Sequence, residues 1–150
     1  MKKTLFILFM CATAFMAKAD GWLYGDGVAV IMSMEEYINN DFNPTSLELI
    51  VEEKDKNPMV IFGLKGWRNL YKFKESQQYV VVCFDLLNEA KWEIEQVITE
   101  KSALQHFTIV NSDEFVKWLK QCEFFTVKLP LSTVGVHQFI FSTGGYPLAW

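Results

Sequence analysis

Arginine, histidine and cysteine are scarce in this 150-residue chain, and each scarcity excludes something. Arg68 is the sole arginine, and 14 basic residues stand against 18 acidic ones. The basic surface that displaces phosphate counterions is missing, which excludes a nucleic-acid binder. His106 and His137 are the only histidines, and neither has a cysteine or carboxylate at metal-ligand spacing, so no metal motif is present. Three cysteines are too few for a disulfide framework. No Gly-x-Ser-x-Gly elbow occurs, and Gly25-Asp26-Gly27 lacks the further glycine and helix of a phosphate loop. The apolar run from Thr4 to Phe15 is well short of the roughly 20 residues a membrane-spanning helix needs.

That run has another reading. Lys2 and Lys3 precede it and Ala17-Lys18-Ala19 follows it, the three-part layout of a bacterial secretory signal peptide with cleavage before Asp20. Residues 1–19 are therefore expected to be a leader, and residues 20–150 one periplasmic or secreted domain, long enough to close a single core. A retained anchor and a lipid on Cys11 are the alternatives; Leu8-Phe9-Met10 ends in a bulky residue where lipoprotein processing wants a small one. Without Lys2, Lys3 and Lys18 the net charge moves from −4 to −7, which favours a soluble protein or one that meets a basic partner. Cys83 and Cys122 remain. An oxidising compartment allows them to pair, although their local contexts read equally as two separate buried thiols.

Beyond the leader, short strands dominate. Trp22-Leu-Tyr24, a turn at Gly25-Asp26-Gly27 and Val28 to Met32 read as a hairpin. Leu47, Leu49 and Val51 alternate with Glu48 and Glu52, a half-buried strand. Met59 to Phe62 is a short central strand that Gly63 and Gly66 should end. Tyr71 to Lys74 alternates again, and Tyr79 to Phe84 is the strongest strand by composition. Residues 86–98 read either way. Ala90, Ile94, Val97 and Ile98 would share a helical face, while Trp92 and Ile94 alternate with Lys91, Glu93 and Glu95; the strand is favoured. Ser112 to Cys122 is a helix. Asn111 and Glu114 are spaced as in a capping box, Val110 and Phe115 as in a hydrophobic staple, and Phe115, Trp118, Leu119 and Cys122 lie along one face. Strands follow at Phe125 to Leu131 and around Phe139 and Phe141. The expected fold is mainly β, a small antiparallel β-sandwich or barrel with one amphipathic helix near residues 112–122.

Groups able to carry chemistry are few. Cys83 sits in an apolar strand and Cys122 at a helix C-terminus, both poor places for a thiolate. Glu35-Glu36 and Glu52-Glu53 are adjacent pairs that diverge on a strand; Glu93 and Glu95 share a face but read as solvated. An enzyme built on His137 with a carboxylate is the weakest reading. The aromatics offer more. Trp118 and Trp92 read as core, whereas Trp22, Trp67 and Trp150 lie near turns or termini, where a ring can serve as a protein contact or a sugar platform. Trp67 beside Arg68, in the Gly66-Trp67-Arg68-Asn69 loop, is the foremost expected contact.

Trp22 near the start of the expected domain, the pair Glu35-Glu36, the Tyr79 to Asp85 strand with Lys91-Trp92-Glu93-Ile94 after it, and Val127-Lys-Leu-Pro-Leu131 with Phe139-Ile-Phe141 and Gly145 give a further indication. In this order of elements the chain resembles small periplasmic accessory proteins associated with type VI secretion. It departs from them in having no cysteine between Met59 and Gly66. The resemblance implies a β-rich periplasmic fold and an accessory, non-catalytic role, with no active-site residue and no cofactor. The expectation is thus a non-enzymatic domain that binds another protein, of accessory, inhibitor or immunity type, with a carbohydrate-binding module as the alternative.

Overall fold

The computed structural model describes residues 17–19, 21–35, 37–38, 44–53, 57–66, 73, 76–86, 88–97, 106–131 and 134–144. Among these residues, ten antiparallel strands and one helix are formed: β1 (Ala17–Ala19), β2 (Trp22–Gly25), β3 (Val28–Met32), β4 (Thr45–Glu52), β5 (Met59–Gly66), β6 (Tyr79–Phe84), β7 (Asn88–Val97), β8 (His106–Ile109), α1 (Ser112–Gln121), β9 (Phe124–Leu131) and β10 (Gly135–Ser142). They make one sheet in the order β1-β2-β3-β4-β5-β8-β7-β6-β9-β10. The first five strands form a meander, β6 to β8 a second one that joins β5 through β8, and the chain returns through α1 to add β9 and β10 beside β6.

The sheet is curled into a half-barrel. β3 and β10 are far apart in strand order, yet Met34 N–H donates to Ile140 C=O at 2.8 Å. Across the interior, Phe62 of β5 meets Phe141 of β10 with ring centroids 6.1 Å apart. The alternation in sequence explains the two faces. Leu47, Leu49 and Val51, Val60 and Phe62, Val80, Val82 and Phe84, and Phe125, Val127 and Leu129 all turn inward and are buried.

The helix fills the concave side. Phe115 lies edge-on to Phe62, Phe84, Trp92 and Phe125, drawn from four strands, and Leu119 is fully buried beside it. Ser112 ties three elements together: its hydroxyl accepts from Val60 N–H of β5 (3.0 Å) and donates to Ile109 C=O of β8 (2.7 Å). Asn111 caps the helix, its Oδ1 accepting from Glu114 N–H at 3.4 Å. Val110, the other half of the expected staple, is mostly exposed.

Two expectations need correction, and one ambiguity is resolved. β5 does not end at Gly63 but runs through to Gly66, because Gly63 is held in register between Glu48 and His106 and leaves room for the histidine ring. Trp92 and Trp118 are half-buried at the rim of the core, not enclosed in it. Residues 88–97 form the strand β7, with Ile94 inward and Glu93 and Glu95 exposed, which settles the ambiguity against the helix. The alternating stretch Tyr71 to Lys74 falls mostly outside the described residues, but Phe73 bridges to Leu131 and is buried.

Candidate functional site

One patch of the outer face of the sheet, on β2 to β5, is apolar. Register places Leu23, Val30, Ile50 and Ile61 in one row across β2, β3, β4 and β5. Val28, Ile50 and Ile61 are buried there, forming a small second cluster with Val30 packed on it, separate from the interior. The row leads to the seam where the half-barrel stops short of closing. Leu23, Met32 and Met34 are exposed on this side, Met34 most of all at 59 %. Ile140 lies across the seam, joined to Met34 by the backbone bond, and Val136 stands farther along β10 at 64 % exposure. Leu23, Met32, Met34, Val136 and Ile140 are thus exposed on β2, at the end of β3 and on β10, while Tyr37, Met59, Tyr79, Leu86 and Val110 are exposed at other places.

The local sequence produces this seam. Asp26 and Gly27 take positive φ (49° and 72°), the two-residue turn that sets β2 against β3. Ser33 turns inward: its hydroxyl accepts from Leu47 N–H (2.8 Å) and donates to Met34 C=O (3.0 Å). This leaves Met32 and Met34, on either side of it, pointing out. At the far end of β10 the hydroxyl of Thr143 donates to the Cys122 and Glu123 carbonyls (2.9 and 2.8 Å), which fastens the strand to the end of α1.

The residues singled out from sequence are dispersed. Trp22 is fully buried, its ring enclosed by the core. Trp67, Arg68 and Trp150 lie outside the described residues. Cys83 projects from β6 to the side opposite Val82 and Phe84, whereas Cys122 is buried beneath the helix end, and both thiols are free. Burial, with the Asp85 carboxylate adding to it, pushes the Cys122 thiol up to about 12, against weaker opposing hydrogen bonds from its backbone and Thr143. His106 is half-buried on the outer face over Gly63, and His137 is half-buried on β10. Glu48 is buried, with Lys65 Nζ 3.5 Å from its Oε1. Glu35 is exposed, and Glu36 lies outside the described residues. Among the described residues, no three side chains of His, Cys, Asp or Glu gather as a metal ion would need, and no helix is long and apolar enough to cross a membrane.

Sequence reasoning missed the seam. Its signal was present in Met32 and Met34, two apolar residues flanking a serine that turns in. In the β6–β7 turn, Asp85 and Leu86 both hold positive φ (50° and 61°). Asp85 is fixed there because its Oδ1 accepts from Glu123 and Phe124 N–H (3.0 and 3.2 Å), and Leu86 is left exposed at the tip. No family model matches the chain, and comparison with curated proteins and with solved structures finds no match either.

Proposed function

We propose that this chain is a non-enzymatic exported domain that binds another protein, of accessory, inhibitor or immunity type, in the periplasm or outside the cell. The observation that carries this reading is the run of exposed apolar side chains along the seam, Leu23, Met32, Met34, Val136 and Ile140. Apolar surface gathered on one side of a small domain marks an interaction site, and methionine adapts to a partner's shape at little cost. The acidic balance of the chain supports a partner with basic character. The leader-like N-terminus supports export, and the likeness to periplasmic accessory proteins agrees with a role without chemistry.

Carbohydrate binding is the second reading, and the seam favours the first. A sugar platform needs an open aromatic face; of its candidate rings Trp22 is enclosed, while Trp67 and Trp150 lie outside the described residues. The test is affinity capture from envelope extract, at low and raised salt, with the unaltered chain and with a Met32→Ser, Met34→Ser variant. The same protein recovered by the first and reduced at least tenfold with the second is expected. Recovery of nothing, or equal recovery by both, would overturn the reading. Tryptophan fluorescence that changes during a glycan titration would favour the alternative.

A further inference from the structure

β10 is an edge strand that nothing in its composition protects. Natural sheets blunt their edges with lysine, proline or a bulge, since unpaired backbone groups recruit other strands. Gly-Val-His-Gln-Phe-Ile-Phe-Ser carries no lysine, no proline and no acid, and it pairs with β9 without interruption from Gly135 to Ser142. The direction of its backbone groups follows from one bond. Thr143 N–H donates to Glu123 C=O at 2.8 Å, so the odd-numbered residues of β10 bond toward β9 and the even-numbered ones turn outward. Ile140 agrees: its outward carbonyl accepts Met34 N–H. Val136 and Gln138 have no such partner among the described residues, and both are exposed. Among the described residues, the chain lays Met34 against this edge and pairs no farther along it.

We infer that the outer edge of β10, from Gly135 to Phe139, accepts an extended segment of the partner protein as an added strand, with apolar side chains beside Val136 and Ile140 and a net basic charge. This rests on the protein-binding reading and says which surface the partner uses. Main-chain bonds to Val136 and Gln138 supply the pairing; the exposed Val136, Ile140 and Met34 side chains supply the apolar contacts on the outer face. The acidic balance of the chain favours a segment of basic net charge. A second copy fits less well. It brings a further net charge of −4, and pairing centred on Gln138 needs the Ile140 carbonyl that Met34 holds.

The test uses the whole chain, isotope-labelled, with an eight-residue peptide of alternating valine and lysine, and the same peptide N-methylated on every second residue in both registers. Exchange of the Val136 and Gln138 amides should slow at least tenfold with the plain peptide and be unchanged with the methylated ones. Gln138→Pro should abolish the effect and leave the fold intact, because the N–H it removes points away from β9; His137→Pro removes an inward N–H and should unfold the strand. If Gln138→Pro fails to fold, the methylated peptides still decide. Unchanged exchange at both amides up to millimolar peptide overturns the inference, as does equal slowing by the methylated peptides. Retained capture of the same protein by Gln138→Pro also overturns the edge while leaving the protein-binding reading standing, whereas capture of nothing by the unaltered chain removes that reading itself. Slowing that depends on protein concentration without peptide, with a dimer in sedimentation, identifies a second copy and overturns the partner.

Discussion

Gly63 shows how one missing β-carbon arranges a neighbourhood. A β-carbon there would meet the His106 ring at 2.7 Å (Cδ2) and 2.9 Å (Nε2). Glycine in a strand interior weakens it unless another group needs the space, and here the imidazole takes it. Gly63→Ala should therefore destabilise by about 1–3 kcal/mol in urea unfolding, the range for overpacking. His106→Ala should remove most of that penalty, with a coupling of about 1 kcal/mol or more in the double-mutant cycle; additive single effects would show that the ring is not what the glycine serves. Cys122 makes a second point at this scale. Its thiol stays protonated in the fold up to about 12, whereas in the unfolded chain it titrates near 9.0. The folded state therefore holds a proton that the unfolded state has lost between those values, and stability falls as pH rises through that window. The stabilisation is fully present below pH 9. The slope from this one group approaches about 1.4 kcal/mol per pH unit. Urea midpoints measured from pH 8 to 11 should fall more steeply for the unaltered chain than for Cys122→Ala; parallel curves would remove the assignment.

At the scale of elements, Ser112 is the joint. Its hydroxyl is the partner of a backbone N–H in β5, of a carbonyl in β8 and sits at the first position of α1. Ser112→Ala leaves the buried Val60 N–H without that partner, which costs about 1–3 kcal/mol. The loss should appear as a lower urea midpoint, with faster exchange at Val60 than at Phe62; Ser112→Thr, which keeps the hydroxyl, should restore much of it. Nothing in the order Val110-Asn111-Ser112 announces this, since the serine reads there only as part of a helix start. The strands themselves were legible. Wherever one face is buried, period-two alternation shows, as in β4, β9 and the Trp92 and Ile94 pair of β7. What alternation cannot carry is the long-range outcome. Gly63 reads as a break because the ring that makes it useful belongs to a residue 43 positions away. Trp22 reads as exposed because it stands beside a turn, yet the curl of the sheet closes over it. Met32 reads as the end of a strand and Met34 as the start of a mixed stretch until β10 arrives beside them.

For the whole molecule, the question is whether the domain needs its first strand. Ala17–Ala19, the last residues of the expected leader, pair with β2 as β1, matching Ala17 to Tyr24 and Ala19 to Trp22. The bond from Glu53 N–H to Gly27 C=O sets the alternation through β3, so Leu23 and Gly25 bond to β3 and the backbone groups of Trp22 and Tyr24 face β1. Cleavage before Asp20 would remove β1 and turn β2 into the edge. The interior cluster draws on Trp22 and residues beyond it, so the chain beginning at Asp20 should keep its cooperative transition. A loss of about 1 kcal/mol corresponds to a fall of a few degrees in Tm for a domain of this size. Chains beginning at Ala17 and at Asp20 should therefore melt within about 8 °C of each other by circular dichroism. The amides of Trp22 and Tyr24 should exchange faster in the shorter one, while those of Leu23 and Gly25 keep their protection. A chain from Asp20 that is unfolded, or that melts without cooperativity, would show that β1 belongs to the domain and that the leader cannot end at Ala19. If the shorter chain holds, export leaves a half-barrel with two open edges, β2 and β10, on either side of the Met32 and Met34 seam, and only the β10 edge carries Val136 and Ile140 to engage an incoming strand.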